Sequence, residues 1–313
     1  MKKDETVLDL FSGMGGLGTG FSQFFNVTEA VDKWHDACLT YHENHRETTV
    51  REKSVSDFLD TCIPKDFDGI LFNGIVGGPP CQEFSVLNQS PDMTSARANQ
   101  LFVFLDAVEA IHPEFALIEN VATIPKEKKE LAELRLKALG YHTVSRQILA
   151  YDFGSVQKRR RWILTASKKR HVFPIPNYPK RTAKEILRGY ESYMKMSAEI
   201  SDQLKTLPTG RWVALPGKHW KEYYIIDPNR PLPAIVNVLK NRIVRPDRMG
   251  YVSLKEICLA QGFDENYKME GGLTSRAQQL ANAVPVELAG AFAKAFYQEY
   301  HPSASVLTNW IQN

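Results

Sequence analysis

Residues Thr6 to Phe21 read TVLDLFSGMGGLGTGF, and the change of texture within this stretch decides the fold. The apolar run TVLDLF passes without a spacer into a turn dense in glycine, and then into residues that suit a helix. Glycine tolerates positive φ and lets another backbone or a ligand approach closely. Strand, glycine turn and helix N-terminus, in that order, put N–H groups in front of a bound nucleotide. Gly13, Gly15 and Gly18 satisfy G-x-G-x-x-G. About 20 residues further on, Asp32 closes the next apolar run, VTEAVD, where a carboxylate can accept hydrogen bonds from two ribose hydroxyls.

The same unit repeats outward. LGTGFSQFF, WHDACLTYHENH, NQLFVFLDAVEAI and EKKELAELRLKAL read as helices among the strand-like runs VTEAVD, GILFNGIV, FALIEN, HTVSRQILAY and RRWILTA. Such alternation predicts an α/β fold with a doubly wound, mostly parallel sheet and crossover helices. In the fourth helix Leu131, Leu134 and Ala138 follow i, i+3, i+7 spacing and are expected to form its buried face, with Lys126, Lys128 and Lys129 outward. After about Ala166 the alternation stops, and prolines, tyrosines, tryptophans and basic residues run on to about Gly272. A second, smaller and irregular domain is expected there. PVELAGAFAKAFYQEY, Pro285 to Tyr300, starts with a helix-opening proline and carries a continuous apolar face, so it returns to the large domain. The boundaries read as 1–166 plus 278–313 for the large domain and 167–277 for the small one.

Composition narrows the class. With 313 residues, 43% of them apolar, the chain can bury a large core. No apolar run approaches the roughly 18 residues that cross a bilayer, and the N-terminus lacks a leader-like apolar stretch. Four cysteines form no CxxC pair and show no metal spacing with the eight histidines, which argues against disulfides and against a metal site. A reduced, cytoplasmic, soluble protein is expected. The net charge of +3 is slight, but QKRRRW, SKKRH and LKNRIVRPDR concentrate positive charge locally.

GGPPCQEFS, Gly77 to Ser85, follows the third strong strand at the carboxyl end, where α/β proteins place their ligands. Two prolines fix the backbone beside Cys81 while two glycines leave room for a flat ligand. A free thiol is only a few per cent thiolate at neutral pH, so a nucleophilic Cys81 needs a nearby cation or donor, and QKRRR can supply it. The long polar stretch from Gln82 to Asn99 suits a lid. The next strand, FALIEN, brings Glu119 to the same rim, where a buried carboxyl can share or donate a proton. The glycine turn alone fits an enzyme using NAD as well as one using S-adenosylmethionine.

DLFSGMGG, GGPPCQEFS, LIENV, QKRRR, LAQGF and QLANAVPV, in that order, resemble the cytosine-C5 DNA methyltransferase family over nearly the whole chain. The resemblance resolves the cofactor in favour of S-adenosylmethionine and implies a Rossmann-like methyltransferase fold. It implies that Cys81 adds to C6 of a cytosine flipped out of double-stranded DNA, that Glu119 bonds N3 and the exocyclic amine, and that Arg159 and Arg161 contact O2 and organise the pocket. By the same resemblance Phe11, Gly13, Gly15, Gly16 and Asp32 hold the cofactor, with Pro80, Leu101, Asn282 and Ala283 closing its pocket. Ser85, Asn88 and Arg97 are assigned to DNA. A monomer is implied, partnered in its system by a restriction endonuclease and not by a membrane.

Three departures stand out. REKSVSDF offers Lys53, Ser54 and Asp57 where an acid for the adenine amine is usual, so adenine recognition stays unassigned. Val156 stands where proline is common and Arg160 where an acid is common. Arg181, Lys184, Arg211, Trp212, Lys218, His219 and Trp220 are the aromatic and basic residues of the small domain that can read a groove or grip phosphate. Two other readings stay open at this point: an RNA-directed cytosine methyltransferase of the tRNA type with the same architecture, and a non-catalytic nucleic-acid-binding module that retains the fold.

Overall fold

The computed structural model describes residues 5–62, 72–80, 100–192, 194–215, 222–236, 238–239 and 242–302. Strands β1 (Thr6–Leu10), β2 (Asn26–Asp32), β3 (Thr49–Glu52), β4 (Gly74–Gly77), β5 (Phe115–Val121), β6 (His142–Leu149), β7 (Gln157–Lys158) and β8 (Arg160–Ser167) occupy the first half. Seven of them, without β7, form one sheet in the order β3-β2-β1-β4-β5-β8-β6. The first five positions are parallel, and β8 runs antiparallel to both neighbours. The order 3-2-1-4-5 is that of a doubly wound sheet; the inserted antiparallel β8 is what departs from an all-parallel dinucleotide fold.

Both faces of the sheet are covered. Helices α1 (Gly16–Phe21) and α9 (Val286–Tyr300) lie on one, where Phe21, Phe25, Phe115, Phe292 and Phe296 share a buried cluster. On the other, α3 (Val55–Thr61), α4 (Gln100–Ile111) and α5 (Lys126–Ala138) bury Phe58, Leu101, Phe104, Ala132 and Leu136. Helix α2 (His35–Asn44) follows β2. The buried face of α5 is not the expected one. Leu131 and Leu134 are 52% and 62% exposed, and it is Ala132 and Leu136 that are buried. Contacts to neighbouring elements accompany this rotation: Arg135 pairs with Asp106 and Glu109 of α4, and Lys129 donates from Nζ to the Ala122 carbonyl at 2.9 Å.

Beyond β8 the chain builds a three-stranded sheet, β12-β10-β9, from β9 (Arg211–Ala214), β10 (Glu222–Ile225) and β12 (Arg242–Val244). β10 is buried on both sides: Tyr223 and Ile225 enter a cluster with Leu204 of α6 (Ala198–Leu204), while Tyr224 enters a larger one with Ile226. That larger cluster also holds Met14 of the glycine turn, Cys258 of α7 (Leu254–Ala260), and Ala277 and Leu280 of α8 (Leu273–Asn282). The short β11 (Leu232–Pro233) pairs with β7.

Candidate active site

Register determines what meets at the rim. Leu10 pairs with Val31 and with Gly77, and Gly77 pairs with Ile118. The next residue of each strand therefore emerges at one edge: Phe11, Asp32, Gly78 and Glu119. In the antiparallel pair, Val121 faces Arg161, which puts Arg161 diagonal to Glu119 on the same side of the sheet. The two side chains form a buried ion pair, Arg161 Nε to Glu119 Oε1 at 2.5 Å. The other carboxylate oxygen lies over Gly78, 3.4 Å from where a Cβ would stand, so the carboxyl group borders the glycine turn at contact distance.

Period-two alternation sorts the basic run. Gln157, Arg159 and Arg161 are buried while Lys158 and Arg160 are exposed. Arg159 donates to the carbonyls of Ile235 and Ala281, the latter at 2.7 Å, and so ties two distant segments to the strand that carries Arg161. Gln157 adds hydrogen bonds to the Ala260 carbonyl and the Gln261 side chain.

Asn120 is a positioning residue that the sequence reading did not single out. Buried to 2% exposure, it donates from Nδ2 to the Pro79 carbonyl at 3.2 Å, anchoring the proline turn two residues before Cys81. Cys81, Ser85, Asn88 and Arg97 lie outside the described residues, as do Lys218, His219 and Trp220. Loss of a buried hydrogen bond of about 1.5 kcal/mol corresponds to roughly tenfold in rate. Asn120→Ala is thus expected to lower kcat by about that factor with the cofactor KM unchanged, and an unchanged kcat in steady-state assays would remove the anchoring role.

The glycine turn divides its glycines between two tasks. Gly13, at φ +54, has nothing within 4 Å of a would-be Cβ, and its N–H donates to Asp32 Oδ2 at 2.8 Å. Gly15, at φ +97, is capped by the Tyr267 hydroxyl and the Tyr41 ring, and a Cβ on Gly16 would stand 2.3 Å from the Val284 carbonyl oxygen. Among the described residues nothing stands over Gly13, while Gly15 and Gly16 admit neighbouring protein. Phe11 holds φ +54, a conformation that an aromatic residue keeps only under tertiary constraint. Asp32 also accepts from the Trp34 N–H at 2.9 Å, and burial raises its carboxyl above the ordinary value against these donors.

Ser12, 7% exposed, has a buried hydroxyl without a hydrogen-bond partner among the described residues. Leu101, in the first turn of α4, is buried in the core. Asn282 is exposed and accepts from Gln278 at 2.7 Å, while Ala283 is buried. Lys53 reaches Thr61 Oγ1 at 3.3 Å, and Asp57 and Ser54 are engaged in the cap of α3. The space that the described residues leave over Gly13, the Asp32 carboxylate and the Ser12 hydroxyl unmatched among them fit a ribose and a charged amino-acid tail.

Behind the turn lies Asp9, fully buried, which accepts from the Tyr41 hydroxyl at 3.3 Å. Burial pushes its carboxyl from 3.8 up to about 8. Below 3.8 the native and unfolded chains are protonated alike at this position. Between 3.8 and about 8 the unfolded chain sheds a proton that the native chain keeps, so native stability falls as pH rises through that window. Asp9→Asn keeps the shape and removes the titration. Its melting temperature is expected to fall less than that of the unaltered protein between about pH 6 and about pH 8; equal falls would refute the assignment to Asp9.

Many arginines of the small-domain stretch are committed internally. Arg245 grips the buried carboxylate of Glu256 at 2.8 Å through one guanidinium nitrogen, Arg242 lies 5.2 Å from the Tyr251 ring centroid, and Arg248 donates to the Leu204 and Leu207 carbonyls. Arg181 bonds Glu185 and Glu287, and Trp212 packs on Tyr224. Lys184 and Arg211 stay exposed.

The sequence pattern of the C-5 cytosine-specific DNA methylase family matches residues 6–298. The chain belongs to that family and is a DNA (cytosine-5-)-methyltransferase, an enzyme class whose methyl donor is S-adenosylmethionine. It is 29% identical over 301 residues to the type II methyltransferase M.HgiDI of Herpetosiphon aurantiacus, covering 90% of this chain and 91% of that one. It is 28% identical over 311 residues to M.AplI of Arthrospira platensis, covering 92% and 84%. The S. pombe Dnmt2 methyltransferase superposes with a TM-score of 0.70 at 16% identity, over 96% of this chain and all of that one, which bears on the fold alone. Among the described residues no helix is long and apolar enough to cross a membrane, and no cluster of histidine, cysteine, aspartate or glutamate could hold a metal ion.

Proposed function

We propose that the chain methylates C5 of a cytosine flipped out of double-stranded DNA, with Cys81 as nucleophile and the Glu119–Arg161 pair as the ring-binding group. The buried ion pair beneath the Gly78 turn carries this reading. Carbon 5 of cytosine is a weak nucleophile, and addition of a thiolate at C6 makes it electron-rich. Glu119 faces N3 and the exocyclic amine and shares a proton with the ring. Arg161 holds the carboxyl group in place and offers its remaining N–H groups to O2, so charge that develops on the ring meets fixed donors. Arg159 organises the pocket through the carbonyls it binds. S-adenosylmethionine supplies an electrophilic methyl group; Gly13, Asp32 and Ser12 would hold it, with Phe11 and the Val284 backbone closing the turn. After transfer, the C5 proton leaves and the Cys81 sulfur is expelled, restoring the aromatic ring. The target must leave the stack first, at a cost of a few kcal/mol.

Residues 1–166 plus 278–313 form the catalytic unit in this reading and 167–277 the DNA-recognition unit. Lys158, Arg160, Lys184 and Arg211 are exposed cations able to meet phosphate. The protein works as a cytoplasmic monomer beside a cognate restriction endonuclease. Bisulfite sequencing of DNA from cells expressing the chain, with transfer RNA assayed in parallel, tests the substrate: methylcytosine at a fixed DNA sequence is expected, and methylation confined to RNA would overturn it.

A further inference from the structure

The glycine turn is held from behind by a residue more than 250 positions away in the chain. The Tyr267 hydroxyl donates to the Met14 carbonyl, while the N–H of the same peptide unit, on Gly15, donates to the Ser12 carbonyl at 3.0 Å. Both polar ends of the Met14–Gly15 peptide are therefore fixed. Gly15 leaves room for this contact, since a Cβ there would lie 2.9 Å from the Tyr267 oxygen. Two residues toward the N-terminus, the Gly13 N–H is bound to Asp32.

Tyr267 is itself held firmly. Its ring packs on Phe263 at 4.3 Å between centroids. The segment that follows is fastened to α2: Lys268 and Asn44 exchange two hydrogen bonds of 2.9 Å, and the Glu270 N–H donates to Thr40 Oγ1 at 2.8 Å. Burial raises the Tyr267 hydroxyl well above its ordinary value, so it remains a donor. The nearby His45 ring, 3.5 Å from that hydroxyl, is pushed down to about 4 by burial and stays neutral.

We propose that Tyr267 is a positioning residue for the cofactor, its hydroxyl holding the Met14–Gly15 peptide in the orientation in which the glycine turn receives S-adenosylmethionine. The inference rests on the reading that this turn is the cofactor site. It also links the segment joining α7 and α8 to cofactor binding through one hydrogen bond.

Tyr267→Phe keeps the ring on Phe263 and removes only the donor. Calorimetric titration with S-adenosylmethionine is expected to show Kd raised about tenfold. In steady-state assays the cofactor KM should rise in step, with kcat at saturating cofactor and the KM for DNA within about twofold of the unaltered protein. Amide exchange at residues 12–16 of the cofactor-free chain should quicken. Tyr141→Phe, which removes a buried hydroxyl bound to the Pro113 carbonyl and to no part of the turn, is expected to leave Kd near its original value. Equal cofactor binding and unchanged exchange in Tyr267→Phe would overturn the proposal, as would a loss confined to kcat. Failure of the unaltered protein to bind S-adenosylmethionine would instead remove the reading of the site beneath it.

Discussion

Cys81→Ser is expected to abolish methyl transfer while leaving DNA affinity close to that of the unaltered protein. Serine has nearly the shape of cysteine, but its hydroxyl holds its proton far more tightly, and it is the anion that adds to a ring carbon. Removal of a nucleophile from an enzyme that works through a covalent intermediate costs at least about 10⁴-fold in kcat. Binding to DNA draws chiefly on cations at phosphate, none of which this substitution touches. A gel-shift assay beside bisulfite sequencing separates the two quantities. The covalent step has its own signature. A cytosine with fluorine at C5 cannot lose that substituent as a proton, so the unaltered protein is expected to stay bonded to such DNA through a denaturing gel, and Cys81→Ser is not. Methylation by the serine variant at the original rate would remove the mechanism.

The sheet and its carboxyl-end site were legible because each strand of that edge ends in a chemically distinctive residue. A run such as FALIEN followed by a helix leaves little freedom: a parallel strand buried on both faces puts its last residues at the ligand edge. The alternation in QKRRR belongs to the same class of signal, since a strand must turn every second side chain inward. β3 was missed for a matching reason. TVRE at the edge of the sheet buries no side chain fully, so it lacks the apolar signature that marked its neighbours.

What stayed hidden depended on partners distant in sequence. The stripe of Leu131, Leu134 and Ala138 is as regular as the one that is buried; Ala132 and Leu136 are the residues that meet the core, and Arg135 reaches two half-exposed acids on α4 beside them. The glycines of the turn looked alike in sequence. Only the positions of Tyr267, Tyr41 and Val284 show that Gly15 and Gly16 make room for protein, while no described residue stands over Gly13. LKNRIVRPDR reads as a basic surface, yet Arg242, Arg245 and Arg248 are bound to an aromatic ring, a buried carboxylate and helix-end carbonyls. Charge counted along a sequence says nothing of which arginines the fold has already engaged.

The Glu119–Arg161 pair permits a second measurement of large effect, in which stability and catalysis respond differently. Both side chains are about one-tenth exposed and 2.5 Å apart. Taking away one partner of a buried ion pair strands the other charge in a poorly solvated site. Arg161→Ala is accordingly expected to lower unfolding free energy by about 3–5 kcal/mol, read from urea denaturation. Arg161→Met combined with Glu119→Gln removes both charges at similar volume, and is expected to recover most of that loss, because replacing a whole buried pair is close to neutral. Methyl transfer should not recover with it. The double variant lacks the carboxyl group proposed to meet N3 and the amine, and it lacks the guanidinium that holds it, so its kcat should stay at least about 10²-fold down although the protein is folded. Two outcomes would break the assignment: stability effects that simply add across the double-mutant cycle, which would deny the pairing, or a double variant that methylates at the original rate, which would deny the carboxyl group its part in the chemistry.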